Sequence, residues 1–233
     1  MKLLEETNRH GRWYRDACGA AFAMELIGER WTLLVVRELM LGGRRFSDIR
    51  ANLPGISAKV LTERLETLET VGVLARRRLP PPAAAQIYEL TEWGYELEPV
   101  MQELGRWAVR SPMHDTALPI SPVSFMLSLR TMFDREAATD LVFTVLFEAG
   151  PDRFHGRLEN GEFRIVRAEE GDAADIVFRT ASAGNLAGLF YGKLPAESLA
   201  IEVGGDPDLV ARFVDLFALP VKIDVTPATR RRA

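Results

Sequence analysis

The residues of this chain that could do chemistry are mostly basic and lie close together. Between positions 44 and 78 there are eight Lys and Arg against four Asp and Glu, among them Arg44, Arg45, Lys59, Arg64 and the triplet Arg76-Arg77-Arg78. Guanidinium and ammonium groups pair with phosphate oxygens, and the planar guanidinium can also grip a base edge with two donors. Ser57, Val60, Glu63 and Gln86 lie in the same stretch and offer shorter polar or methyl contacts of the kind base edges accept. Catalytic chemistry is not indicated. His10, His114 and His155 are far apart in sequence, and His155 reads as a surface residue. No metal-ligand spacing, glycine-rich phosphate loop or nucleophile elbow is present. The sequence therefore predicts neither an enzyme nor a bound metal or cofactor.

Those side chains need a scaffold, and the pattern supplies one. A short apolar helix runs from Cys18 to Ile27, closed near Gly28; a second runs from Trp31 to Leu41 and stops at Gly42-Gly43. Phe46 to Ala51 forms a third, too short to stand without packing. Leu53-Pro54-Gly55-Ile56 is a turn, and Ser57 caps a helix reaching Val71. Ala58, Leu61, Leu65 and Leu68 make its inner stripe, leaving Lys59, Val60, Glu63, Arg64 and Thr67 outside. Val73 to Leu79 and Gln86 to Thr91 read as a hairpin with a proline-rich tip, and one helix follows from Thr91 to Val109.

This order predicts a mainly α helix-turn-helix domain with a wing, a shape suited to duplex DNA. A helix of about 15 residues spans roughly 22 Å, which fits lengthwise in the major groove. Ser57, Lys59, Val60, Glu63 and Arg64 are the candidate base readers. Arg44 and Arg45 either clamp the DNA backbone or form a solvated charged surface. The wing presents Arg76, Arg77, Arg78 and Gln86, and strand alternation prevents all three arginines from facing one way. At least one is expected on DNA.

The same residues resemble the HxlR family of winged-helix regulators, related to the MarR type. The resemblance rests on Cys18, Leu26-Ile27-Gly28-Glu29-Arg30-Trp31-Thr32, Arg44-Arg45-Phe46-Ser47-Asp48-Ile49 and Leu53-Pro54-Gly55-Ile56-Ser57. It continues through Leu61-Thr62-Glu63-Arg64-Leu65 and Leu90-Thr91-Glu92-Trp93-Gly94. The residue after Cys18 departs from the family's usual proline. The resemblance implies a homodimer formed through terminal helices and bound to a pseudo-palindromic double-stranded operator. Independently, Leu97, Met101, Leu104 and Trp107 line a face that one small domain would leave bare. The resemblance also implies a sensing role for a cysteine at position 18. A helix start and nearby Arg15 favour its thiolate, whereas free cysteine as a residue type is more often buried and inert.

After a proline-rich segment, Arg110 to Pro122, the pattern changes. A helix from about Pro122 to Asp134 precedes strand-like runs at Leu141–Glu148, Arg153–Glu159, Glu162–Ala168 and Asp175–Thr180. Asn160-Gly161 marks a hairpin. A helix from Ser182 to Tyr191, the run Pro195 to Val203, and a helix capped by Asp206 with Pro207 behind it complete the chain. The order, with Gly192-Lys193-Leu194 and Gly204-Gly205-Asp206-Pro207, resembles the sterol-carrier-protein fold, an α+β domain. That resemblance implies a tunnel for a hydrophobic effector, lined by Phe125, Leu129, Phe143, Phe147, Phe163, Phe178, Leu189, Phe190, Phe213 and Phe217. The alternative for each is plain core packing.

The expected organisation is multi-domain. It comprises a winged domain at 1–111, a linker at 112–122, the α+β domain at 123–226 and a basic tail at 227–233 ending in Arg230-Arg231-Arg232. The net charge of −4 averages two unlike parts. Through Ser111 there are 16 basic and 15 acidic residues; beyond it, 13 and 18. One cysteine, no apolar run near the roughly 20 residues that cross a bilayer, and no signal-peptide pattern predict a cytoplasmic protein without a membrane partner. A DNA-binding regulator, and within that class a repressor modulated by a hydrophobic small molecule, is the reading these features favour. A Cys18 redox or electrophile switch is the alternative, with the second domain serving dimerisation or lipid carriage.

Overall fold

A computed structural model describes residue 14 and residues 16–80 and 85–224. His10, Arg15, the wing tip at 81–84 and the basic tail lie outside the described residues. The chain forms two compact units, 1–101 and 102–233.

In the first unit, α1 (Gly19–Ile27), α2 (Thr32–Leu39), α3 (Phe46–Ala51) and α4 (Ala58–Thr70) precede the hairpin β1 (Leu74–Arg78) and β2 (Gln86–Leu90). Val35, Val36, Leu39, Ile49, Leu61, Leu65 and Leu68 are fully or almost fully buried, so α2, α3 and α4 share one apolar centre. The stripe on α4 follows the expected spacing except at Ala58, which is exposed. It lies in the first turn, where the helix has not yet reached the core. A buried carboxylate ties the turn to α2: Glu38, with 0% exposure, accepts from Arg37 Nη2 at 2.9 Å and from Asn52 Nδ2 at 3.1 Å.

The single helix expected from Thr91 is two helices. Thr91 caps α5 (Glu92–Tyr95) by accepting from the Gly94 N–H at 3.1 Å, and α6 (Leu97–Ala108) starts anew after Glu96. Pro99 supplies the cause. It has no N–H to donate to the Tyr95 carbonyl, and its ring would clash with that carbonyl in a continuous helix, whereas near the start of α6 it is tolerated.

In the second unit, α7 (Pro122–Thr131) is followed by a five-stranded sheet ordered β5-β4-β3-β6-β7. Its strands are β3 (Phe143–Ala149), β4 (Asp152–Glu159), β5 (Glu162–Arg167), β6 (Ile176–Thr180) and β7 (Glu202–Gly204). β3, β4 and β5 form an antiparallel meander, and β6 returns parallel to β3. The β4–β5 turn is Asn160-Gly161, both with positive φ (53° and 70°), as a two-residue hairpin requires. Helices α8 (Ala183–Phe190) and α9 (Pro207–Asp215) complete the unit, with Asp206 capping α9 through the N–H groups of Asp208 and Leu209. The segment after α6 belongs to this unit. Lys222 Nζ donates to the carbonyls of Val109 (2.8 Å) and Ser111 (3.0 Å), and the Ile223 N–H to that of Arg110 (2.8 Å).

Among the described residues, no helix is long and apolar enough to cross a membrane. No group of three His, Cys, Asp or Glu among them could hold a metal ion.

Candidate nucleic-acid interface

The leading end of α4 is held by Ser57, whose hydroxyl accepts from the Val60 N–H at 3.2 Å. With Leu61 and Leu65 turned into the core, Ser57, Ala58, Lys59, Thr62 and Glu63 form the exposed face. Lys59 is 87% exposed and only loosely paired, 3.9 Å from Glu63 one turn on. Val60 is half-buried. Thr62 donates to the Ala58 carbonyl at 3.0 Å, which commits its proton to the helix and leaves a methyl and an acceptor outside. Thr62 was not singled out in the sequence. Its three-residue step from Lys59 was the available signal.

Arg64 occupies a different setting from Lys59. Its side chain is 16% exposed, and its guanidinium lies 3.3 Å from Glu29 and 3.9 Å from Glu63.

The other cations separate in the same way. Arg44 is 9% exposed and bridges the wing by exchanging backbone hydrogen bonds with Tyr88 at 2.9 and 2.8 Å. Arg45 beside it is exposed. On β1, Arg76 pairs with Glu69 at 2.7 Å and lies over the Tyr88 ring, and Arg77 pairs with Glu89 at 3.3 Å. Arg78, opposite the exposed Gln86 at the wing's outer end, has no carboxylate partner among the described residues. Arg50 on the outer side of α3 also has none there. The sequence does not distinguish Arg50, because a six-residue helix shows too little periodicity to assign its faces.

Cys18 is exposed, not buried. It sits at the N-cap of α1, and the backbone N–H groups of Ala21 and then Ala20 hold its thiol below the ordinary value of 9.0 by stabilising the thiolate. Gly19 and Ala20 beside it are exposed as well.

Of the ten residues expected to line a tunnel, the eight phenylalanines form one connected aromatic cluster in the second unit. Leu189 is half-buried and the other nine are buried. Their rings pack on one another: Phe213 lies 5.1 Å from Phe217, 5.3 Å from Phe143 and 5.6 Å from Phe190, and Phe147 stacks on Phe178 at 5.6 Å. Edge-to-face and stacked pairs at these spacings are what a close-packed aromatic core contains.

Comparison with known proteins points to the winged part of the chain and the helix that follows it. A family model described as HxlR-like helix-turn-helix matches residues 26–115. The helix-turn-helix-type transcriptional regulator YvaP of Bacillus subtilis is 41% identical over 86 residues, covering 37% of this chain and 80% of YvaP. YodB of the same organism, also a helix-turn-helix-type transcriptional regulator, is 43% identical over 86 residues, covering 37% of this chain and 77% of its own. The structure of reduced YodB superposes with a TM-score of 0.39 at 38% identity, over 43% of this chain and 100% of that one.

Proposed function

The chain belongs to the HxlR-like helix-turn-helix family of transcriptional regulators, and on that premise we propose that it binds a pseudo-palindromic operator as a homodimer and represses transcription in the cytoplasm. The observation that carries this reading is the exposed leading face of α4, capped and polar, together with the exposed cations Arg45 and Arg78, which have no carboxylate partner among the described residues. Ser57, Lys59, Thr62 and Glu63 read base edges while Arg45 and Arg78 hold phosphates. Dimerisation is supported by α6. None of its residues is buried within the chain, and Val100, Leu104 and Trp107 are exposed, Trp107 by 76%. A two-fold dimer sets two recognition helices about 34–36 Å apart, one turn of duplex.

Duplexes selected by the protein from a random pool test both parts. The expected product is a two-fold symmetric site occupied by two chains, with twice the chain mass in sedimentation. Enrichment of no sequence, or a single chain on a half-site, would overturn it.

The exposure and lowered pKa of Cys18 favour a second element, a thiol switch that loosens operator binding when the thiolate is oxidised or alkylated. Operator affinity unaltered by diamide or a quinone would remove this element. The alternative control, a hydrophobic effector in a sterol-carrier-like second unit, is supported by the order of helices and strands but opposed by the ring-on-ring packing where the tunnel would run.

A further inference from the structure

The short turn between α1 and α2, Gly28 to Trp31, touches the reading head at two places. Glu29 Oε2 lies 3.3 Å from Arg64 Nη1 on α4. Trp31, in a left-handed conformation with φ 79°, sets its ring beside Gly55 in the turn that leads into α4. A Cβ at Gly55 would meet the ring at an ordinary contact distance of 3.8 Å, so it is the backbone, with φ of +92°, and not the space beside the ring that calls for glycine there. One contact fixes the entry to α4 and the other fixes its second turn.

Arg64 is poorly placed to read DNA directly. Its side chain is mostly buried, its Nη1 faces Glu29, and its Nε is buried without a hydrogen-bond partner. A buried unsatisfied donor costs free energy, and the carboxylates beside this guanidinium are Glu29 at 3.3 Å and, more loosely, Glu63 at 3.9 Å. Lys59, on the preceding turn, shows the contrasting arrangement of a cation in solvent.

We propose that the α1–α2 turn is the positioning element of the recognition helix, with Glu29–Arg64 as its charged pin and Trp31–Gly55 as its apolar one. Arg64 is then a positioning residue that sets how α4 presents Ser57, Lys59, Thr62 and Glu63, and makes no phosphate or base contact. The inference rests on the DNA-binding reading above.

The test uses the full chain and the duplex that the unaltered protein selects. Glu29→Gln, Arg64→Met, their combination and the reversed pair Glu29→Arg with Arg64→Glu are compared for specific affinity, affinity for unrelated duplex, and the dependence of binding on salt. Thermal unfolding of each identifies any variant that fails to fold. The expected result is a loss of about tenfold in specific affinity for either single change, no further loss in the combination, and recovery in the reversed pair. Affinity for unrelated duplex and the salt slope stay unchanged.

A salt slope reduced by about 0.9 in Arg64→Met, the mark of one lost phosphate contact, with Glu29→Gln indifferent, overturns the proposal. Additive losses overturn it too. If no duplex is selected at all, the DNA-binding reading falls and takes this inference with it. Variants that bind a selected duplex normally remove the inference alone.

Discussion

At the scale of single residues, the neighbouring carboxylates decide which cations are available. Arg76 and Arg77 already satisfy Glu69 and Glu89, and leaving those partners for phosphate would return most of what it gained. Arg78 has no such partner to leave among the described residues. Replacing Arg78 with Ala should therefore lower the slope of log affinity against log salt by about 0.9, while Arg77→Ala lowers it by less. Equal slopes for the two variants, measured by anisotropy titration across a salt series, would show that the Glu89 pair does not hold Arg77 back. The residue types of this patch were legible in the sequence, and so was the cap at Ser57. Which basic residues were exposed was not. Arg44 is buried where its backbone pairs with Tyr88, and the Arg64 guanidinium faces Glu29, partners that lie 44 and 35 positions away. No local pattern encodes such a pairing. The tendency of free cysteine to be buried misled at Cys18 for a related reason, since burial depends on what the fold brings near.

At the scale of elements, the order of helices and strands was largely readable because caps, glycines and periodicity agreed with one another. The exception, the break between α5 and α6, was also written in the chain as Pro99, but the strong apolar spacing after it overrode that signal. The break lets Gly94 press against the hairpin: a Cβ on it would lie 2.1 Å from the Val73 carbonyl oxygen. Gly94→Ala should destabilise the winged unit by about 1–3 kcal/mol, read in thermal unfolding, because backbone and not a pliable side chain must yield. In the second unit the sheet carries a cross-strand ladder. Glu148 pairs with Arg153 at 2.9 Å and Arg179 at 2.5 Å, and Arg179 pairs onward with Glu202 at 2.9 Å. Partial burial pushes the Glu148 carboxyl up, but hydrogen bonds from Arg179 and Arg153 outweigh it and bring it below the ordinary 4.5. A carboxylate depressed on folding stabilises the fold above its unfolded pKa and loses that contribution as pH falls through the folded one. The second unit should thus lose stability on acidification below about pH 4.5, and Glu148→Gln should flatten that loss. Parallel acid titrations of the two proteins, followed by circular dichroism, check it.

At the scale of the whole molecule, an acidic chain carries its positive patch locally, so binding to DNA depends on presenting a few groups well and not on bulk attraction. What the second unit adds turns on whether its aromatic centre is open or closed. The sequence pattern marks these ten residues as inward-facing but cannot distinguish a lined tunnel from a filled core, because both bury the same faces. The ring contacts support a filled one, with Phe213 in touch with Phe143, Phe163, Phe190 and Phe217. A filled core makes a specific pair of expectations. Phe213→Ala should cost about 3–5 kcal/mol, since the removed ring leaves a space its neighbours only partly close. A small aromatic hydrocarbon such as benzene should then raise the unfolding temperature of that variant by occupying the space, while leaving the unaltered protein unmoved. A tunnel gives the opposite pattern: long-chain or aromatic compounds would stabilise the unaltered protein first, and Phe213→Ala would cost little. Calorimetry of both proteins with and without benzene and a long-chain fatty acid separates the two, and stabilisation of the unaltered chain by either compound would return the hydrophobic effector to first place.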